Sequence, residues 1–263
     1  MTVALVALAA GKGAPGVTTV AVALGAVWPE RAIVAECDPA GGDLAYRLPG
    51  PGGAPLDPHR GLLSLAATAR HGVEPQQLWD HVQALNGGLE VLVGVTTAEQ
   101  SAGLSGLWDG LGQALGRVPG ADVLADCGRI APGSPSTALL RHASLLALVA
   151  RATVDSVAHA RDRLAALAGM LGDGAVMGPS IGLVLVVPPG ESKGAVAQVT
   201  EVLRAAHLPV EILGTIADDP KGAGLLAGQW SGRLSRSLLI RSAREVARAI
   251  HDRIASPSSG AAR

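Results

Sequence analysis

The segment GKGAPGVTT, residues 11–19, decides how this chain is built. It follows VALVALA at residues 3–9, an apolar run of strand length, and it leads into a helical segment at 17–27. The order strand, glycine loop and helix is typical of the start of a β-α-β unit. Because the run at 3–9 is almost continuously apolar, we expect a strand that is covered on both faces.

The glycine loop matches the phosphate-binding pattern G-x-x-x-x-G-K-[ST] at Gly11, Gly16 and Thr18. Glycines let backbone N–H groups turn inward and approach phosphate oxygens, and the following helix adds the positive end of its dipole. Val17 stands where the pattern has its lysine, so the charge that bridges the outer phosphates is missing. Taken alone, the glycines also fit a tight strand-to-helix connection without a ligand.

Strand-length apolar runs alternate with helical segments along the rest of the chain. The predicted strands are 3–9, 32–36, 89–93, 122–126, 144–150, 181–187 and 210–216. The predicted helices are 17–27, 61–70, 74–85, 98–116, 153–171, 192–206, 219–228 and 236–254. This alternation predicts an α/β fold with a doubly wound, mainly parallel sheet flanked by helices. We expect one domain over residues 1–255 and a disordered tail at 256–263.

The segment KGAPGVTT, residues 12–19, resembles the deviant Walker A loop K-G-G-x-G-K-[ST]-T of MinD/ParA-type P-loop ATPases. The matching residues are Lys12, Gly13, Gly16, Thr18 and Thr19. Ala14 stands in place of a glycine, and Val17 replaces the P-loop lysine. The resemblance implies the P-loop NTPase fold, binding of ATP or ADP with Mg²⁺, and a homodimer in which Lys12 reaches the partner's nucleotide.

Two later segments carry the same resemblance. ECDPAGGD at 36–43 is similar to the family's segment after its second strand, and DCG at 126–128 is similar to its Walker B segment. The resemblance implies that Asp38 orients water or Mg²⁺ and that Asp126 holds a water on Mg²⁺. By themselves, Asp38 also fits an ordinary turn before proline and Asp126 an ordinary strand-end aspartate.

The resemblance is weaker toward the C-terminus but still places one more residue. GTIADDP at 214–220 resembles the family's segment near the adenine, which implies a binding role for Asp218. The expected nucleotide-binding residues are Gly11, Lys12, Gly13, Ala14, Pro15, Gly16, Val17, Thr18, Thr19 and Asp218. The expected metal-binding residues are Thr18, Asp38 and Asp126, and the expected catalytic residues are Lys12 and Asp38.

Composition argues against general attraction to polyanions. Charged residues make up 16% of the chain and the net charge is −1, so a nucleic-acid or membrane surface is not indicated. The basic amphipathic segment 235–254 is expected to close the fold, with membrane attachment as the alternative. We expect a cytoplasmic protein with Cys37 and Cys127 as buried thiols; peripheral contact with membrane or nucleoid DNA is the alternative.

Three hypotheses about function follow from the sequence. The first is an ATP-binding positioning or partitioning protein that forms a nucleotide-dependent dimer and hydrolyses ATP slowly or not at all. Its sites of action would be the cell pole, septum, chromosome, or a pilus or secretion assembly. The second is a pseudo-ATPase of the same fold that acts as a scaffold for a pilus or secretion system. The third is a metabolic P-loop ligase, which Val17 disfavours because such an enzyme needs its phosphate lysine.

Overall fold

The computed structural model describes residues 3–13, 15–69, 72–171, 178–228 and 233–256. Ala14, one of the expected nucleotide-binding residues, lies outside the described residues, and so does the predicted tail from residue 257 onward. Within the described ranges, the strands form one eight-stranded sheet with helices on both of its faces.

The sheet is parallel apart from one edge. The strands are β1 (Leu5–Ala10), β2 (Ala32–Glu36), β3 (Gln83–Ala84), β4 (Glu90–Leu92), β5 (Asp122–Arg129), β6 (Leu145–Arg151), β7 (Ser180–Val187) and β8 (Glu211–Ala217). Their order is β3-β4-β2-β5-β1-β6-β7-β8, and in the described residues only β3 and β4 pair antiparallel. The predicted α/β fold with a doubly wound, mainly parallel sheet is therefore confirmed.

Helices cover the two faces of this sheet. They are α1 (Val17–Gly25), α2 (Leu44–Arg47), α3 (Leu62–Thr68), α4 (Leu78–His81), α5 (Ala98–Gly103), α6 (Trp108–Leu115), α7 (Thr137–Leu140), α8 (Val154–Leu171), α9 (Ser192–Ala205), α10 (Pro220–Leu226) and α11 (Leu238–Ala255). Short 3₁₀ turns occur at Pro51–Gly53, Pro75–Gln77 and Leu234–Arg236. No helix in the described ranges is both long enough and apolar enough to cross a membrane.

The central strand β1 explains why the apolar runs are continuous. Its alternate side chains enter two separate cores: Leu5 and Ala7 face the core that includes α6, α8 and α9. Val6 and Leu8 face the core that includes α1 and α11. Because both faces are buried, no position of the strand can be polar.

The last helix closes the fold, as the sequence predicted. The apolar side of α11, with Leu239, Ala243, Val246 and Ile250, is buried in the same core as α1. This apolar stripe therefore packs within the fold.

The predicted helix over 74–85 is wrong. The structure has a 3₁₀ turn, the short helix α4 and the edge strand β3 in its place. The Gln83 side chain accepts a hydrogen bond from the Asp57 N–H and donates to the carbonyls of Asp57 and Arg60. Gly87 and Gly88 then turn the chain back with positive φ. These contacts with distant backbone favour an extended edge over a helix, and no local periodicity reveals them.

The predicted helix over 98–116 is interrupted. It consists of α5 and α6, with a turn between them that begins after Gly103 and includes Gly106. Glycine costs about 1 kcal/mol relative to alanine inside a helix, so two glycines in four residues favour a break.

Asp122, the first residue of β5, ties three parts of the fold together. It is buried; one carboxylate oxygen accepts a hydrogen bond from the Ala4 N–H at 2.9 Å, and the other accepts one from Trp28 Nε1 at 2.9 Å. The carboxylate thereby fixes the entry to β1 and the chain after α1 at the amino edge of the sheet. Its partners are both buried donors that have no access to water.

Replacing Asp122 by alanine should lower the free energy of unfolding by about 2–4 kcal/mol, because two buried N–H donors lose their acceptor. Urea unfolding of the variant measures this loss. Asp109→Ala is the matched control: among the described residues Asp109 pairs with His142 alone, and its side chain is 69% exposed, so its loss should stay below about 1 kcal/mol. Equal losses in the two variants would contradict a special role for Asp122.

Candidate functional site

The glycine loop has the backbone geometry that phosphate binding requires. β1 ends at Ala10 and α1 begins at Val17, so the loop opens directly onto the amino end of a nine-residue helix. Gly13 and Gly16 have φ of +76° and +90°, a left-handed conformation that favours glycine. No side chain of the described residues caps this helix, so its first N–H groups remain available to an anion.

Gly11 is needed for a different reason, namely close packing. A Cβ atom at this position would lie 3.0 Å from Cβ of Arg163 and 3.4 Å from the carbonyl oxygen of His159. Both of those residues belong to α8, so this helix lies directly against the start of the loop. A side chain at position 11 would push α8 and the loop apart.

Val17 has become part of the core. It is 7% exposed and packs in the apolar cluster between α1 and the sheet. A lysine at this place would supply a point charge to the outer phosphates, but valine supplies none. In the described part of the loop, the local sources of positive potential are therefore the backbone N–H groups, the helix dipole and the exposed Lys12.

Asp38 and Asp126 come together at the carboxyl edge of the sheet. Strands β2 and β5 are neighbours, with Glu36 paired to Asp126, and Asp38 follows two residues after the end of β2. Asp38 accepts a hydrogen bond from the Ala40 N–H at 2.8 Å. Gly128 has φ of +57°, and a Cβ atom there would collide with the Asp38 carboxylate. The glycine of the DCG segment thus allows the two aspartates to approach each other.

Asp126 is buried and only partly satisfied. Its Oδ1 atom accepts a hydrogen bond from the Gly128 N–H at 3.0 Å, whereas Oδ2 makes no close hydrogen bond with any described residue. The Thr18 side chain is the nearby donor that also lowers the pKa of this carboxyl. Burial raises the pKa of Asp126 to about 6, against smaller lowering effects of the Thr18 side chain and the Gly128 N–H. A buried carboxylate oxygen in this environment is unusual and is chemically suited to a cationic ligand.

The environment of Asp38 is similar but more open. Partial burial raises the pKa of Asp38, while the Ala40 N–H and the positive charge of Arg129 act in the opposite direction. Asp38 in turn contributes to the raised pKa of Asp126. Because the charge of Asp38 opposes ionisation of Asp126, a divalent cation beside the two carboxylates would favour the ionised form of Asp126.

Glu36 has a structural role that the sequence did not reveal. Its carboxylate is 2% exposed. Oε1 accepts hydrogen bonds from the N–H groups of Asp43 and Leu44, and Oε2 accepts one from Gly94. Desolvation raises the pKa of Glu36, and these three N–H donors lower it. With both oxygens occupied, Glu36 holds the loop after β2 against the loop after β4 and is not open to a metal.

Asp218, expected near the adenine, forms an ion pair. Arg151 Nη1 lies 2.6 Å from Asp218 Oδ2, and the Asp218 N–H donates to the carbonyl of Val187. Both residues stand at the carboxyl edge of the sheet, where β6 and β8 end. A binding role for Asp218 stays a prediction, and any ligand there would meet the Arg151 guanidinium as well.

The residues present fit Mg²⁺ bound beside a phosphate chain. Among the described residues, no three His, Cys, Asp or Glu side chains converge as around a metal held by protein alone. Mg²⁺ instead keeps several waters and takes one or two protein ligands plus phosphate oxygens. The free Oδ2 atom of Asp126 and the neighbouring Thr18 side chain offer a donor set of that kind.

Sequence comparisons find no relatives, whereas structural comparisons find many. No protein-family model matches the chain, and no curated protein matches it either. The chain is similar in structure to a ParA family ATPase from Chlorobium tepidum TLS, with a TM-score of 0.68 and 15% identity over 95% of this chain and 98% of that one.

Two further structures were solved with nucleotide. The septum site-determining protein MinD from Pyrococcus horikoshii OT3, complexed with Mg-ADP, has a TM-score of 0.64 and 18% identity over 98% of this chain and 99% of its own. Cyanothece McdA, complexed with ATP, has a TM-score of 0.66 and 19% identity over 95% of this chain and 97% of its own. Together with the parallel sheet and the glycine loop, these matches establish that the chain has the MinD/ParA P-loop fold.

Proposed function

We propose that this protein binds ATP or ADP with Mg²⁺ and acts as a positioning or partitioning protein of the MinD/ParA kind. The observation that carries the proposal is the buried Oδ2 atom of Asp126, which makes no close hydrogen bond with any described residue and lies near the Thr18 side chain at the amino end of α1. The amino end of the helix suits an anion, and the carboxylate suits a cation. A metal–nucleotide complex supplies both in one ligand.

The solved structures support the same ligand. MinD from Pyrococcus horikoshii was solved with Mg-ADP, and Cyanothece McdA was solved with ATP. Their loops belong to proteins less than 20% identical to this chain, so the argument rests on the shared fold together with the chemistry of this chain's own residues. Those residues are the uncapped helix end, Thr18, Asp38 and Asp126.

We further propose that hydrolysis is slow or absent. Phosphoryl transfer depends on positioned positive charge around the outer phosphates. Val17 removes one such charge from within the loop and is held in the apolar core. Binding should suffer less than catalysis, because backbone N–H groups and Mg²⁺ still hold the phosphates in the ground state.

A nucleotide-dependent homodimer is the third part of the proposal. Lys12 is exposed and lines a surface cavity with Thr153 and Asp155, which flank Val154 at the start of α8. The Val154 side chain is an apolar group with 91% exposure. An exposed cation beside an exposed apolar side chain is compatible with a surface that meets a second copy of the chain.

The main alternative is a scaffold of the same fold that does not hydrolyse ATP. Val17 favours this scaffold, because its side chain is buried in the apolar core and carries no charge for the phosphates. A metabolic ligase is disfavoured, because transfer of phosphate to a small substrate needs the same missing charge.

The Asp126→Asn variant distinguishes an effect on Mg²⁺ binding from an effect on folding stability. The raised pKa means that the folded state binds this proton more tightly than the unfolded chain, whose aspartates titrate near 3.9. Ionisation of Asp126 therefore destabilises the fold fully above about pH 6 and not below about pH 4. Without Mg²⁺, the variant should gain about 2–3 kcal/mol of stability at pH 8 and almost none at pH 4.

Urea unfolding at the two pH values measures that gain. Titration calorimetry with ATP should show that Mg²⁺ strengthens binding to the wild type and no longer does so in Asp126→Asn. Asp43→Asn is the control, because Asp43 has an exposed carboxylate whose charge also reaches Asp126. An unchanged Mg²⁺ dependence in Asp126→Asn would refute the metal site.

Val17→Lys should restore the missing charge. We expect ATP affinity to rise about tenfold or more, since a charge-assisted hydrogen bond contributes roughly 1.5–3 kcal/mol. Single-turnover hydrolysis should rise by a larger factor. Val17→Met, which adds length without charge, should leave both unchanged. Fast hydrolysis by the native protein, abolished by Lys12→Ala, would contradict the proposal that hydrolysis is slow or absent.

A further inference from the structure

A cationic cavity lies beside the glycine loop. Its volume is about 450 Å³, and its charged lining comprises Lys12, Arg129, Arg151 and Asp155, with His159 at its wall. Three permanent cations face one carboxylate, so the cavity carries an excess of positive charge. None of the arginines belongs to the phosphate-binding pattern of the loop.

The topology of the sheet explains why these two arginines meet here. β1, which leads into the loop, pairs with β5 on one side and with β6 on the other. Arg129 is the last residue of β5, and Arg151 is the last residue of β6. The loop is therefore flanked by an arginine on each neighbouring strand.

An irregularity in β5 sets the position of Arg129. Leu8 pairs with Asp126, but Ala10 pairs with Arg129, so β5 has one residue more than β1 over this stretch. Gly128, with φ of +57°, lies within the bulge. Such a bulge changes the direction of the side chains that follow it. Here Arg129 lines the cavity beside the glycine loop, while Ile130 is buried in the core.

The two arginines differ in how their charge is used. Arg151 is ion-paired with Asp218 at 2.6 Å. Arg129 makes no ion pair with any residue that the structure describes. Its charge reaches the Asp38 carboxylate, whose pKa it lowers, without a direct bridge. Arg129 is thus an exposed guanidinium between a site aspartate and the phosphate loop, with its hydrogen-bond donors available.

We propose that Arg129 binds the terminal phosphate of a nucleoside triphosphate in this cavity and so supplies part of the positive charge that a lysine at position 17 would provide. This inference rests on the proposed nucleotide-binding function. Arg151, held in place by Asp218, forms the opposite wall and adds a weaker attraction.

The direction of the loop supports the terminal phosphate as the ligand. Thr18 and Thr19 lie in the first turn of α1, whereas the described loop residues that line the cavity are Lys12, Gly13 and Pro15, which come before the helix. A guanidinium is suited to such a group because its planar donors match two phosphate oxygens at once. A diphosphate lacks the group that this arginine would bind, so the cavity should discriminate ATP from ADP.

The test compares ATP and ADP affinities by titration calorimetry in Mg²⁺. Arg129→Gln should weaken ATP binding about tenfold or more and ADP binding less than about threefold, because one charge-assisted contact is lost to the terminal phosphate alone. Arg129→Lys should retain most of the ATP affinity. Arg117→Gln is the matched control: Arg117 is exposed and precedes the opposite end of β5, so both affinities should be unchanged.

A double variant adds a second readout. In the Val17→Lys background, Arg129→Gln should cost clearly less ATP affinity than in the native background, because the lysine supplies the same charge. A purely structural arginine would give equal losses in both backgrounds. The unfolding transition of Arg129→Gln should match that of the wild type, since the side chain is exposed.

The outcomes separate the two proposals. If the wild type binds nucleotide but Arg129→Gln behaves like the control, or weakens ATP and ADP equally, this inference is overturned and the proposed function stands. If inorganic phosphate alone binds the wild type as tightly as ATP does, the cavity is an independent anion site and the inference is also overturned. If the wild type binds neither nucleotide, the proposed function fails and the inference falls with it.

Discussion

Two buried carboxylates, Glu36 and Asp126, lie side by side on β2 and β5 near the carboxyl edge of the sheet. The architecture of the site depends on which groups each carboxylate contacts. Glu36 and Asp126 are paired in register. Desolvation raises the pKa of Glu36, and the charge of Asp126 adds to that effect. Glu36 is satisfied by three backbone N–H groups and so fixes the loops that surround the site. Asp126 keeps one oxygen free. That asymmetry separates a carboxylate that holds the fold from one that is available to a ligand.

The sequence predicted the parts of the fold that depend on local pattern. Continuous apolar runs located the seven parallel strands. For the inner strands the reason is burial on both faces, which excludes polar residues, whereas the edge strand β8 is only partly buried. The edge strand β3 was missed, since the backbone contacts of Gln83 with Asp57 and Arg60 are distant in sequence. Short apolar segments are ambiguous between helix and edge strand until such contacts are known.

The sequence likewise predicted those residues of the candidate site that follow a local pattern. Gly13, Gly16, Asp38 and Asp126 follow a pattern of residue types and spacing, and the structure brings their segments to one edge of the sheet. Arg129 could not be found in this way. Its position depends on an extra residue in β5, and the bulge becomes visible only when the pairing with β1 is known. Positive charge around the loop is therefore distributed differently from what the loop sequence alone suggests.

Gly128 gives this edge of the sheet an unusual sensitivity to change. It has no functional group, yet the left-handed backbone, the bulge and the docking of the Asp38 carboxylate all occur at this one residue. In a saturation library scored by nucleotide binding, position 128 should therefore tolerate fewer replacements than the charged positions around it. Among natural variants of this chain, the identity of residue 128 would then be a better guide to whether the site is intact than the presence of any single acid.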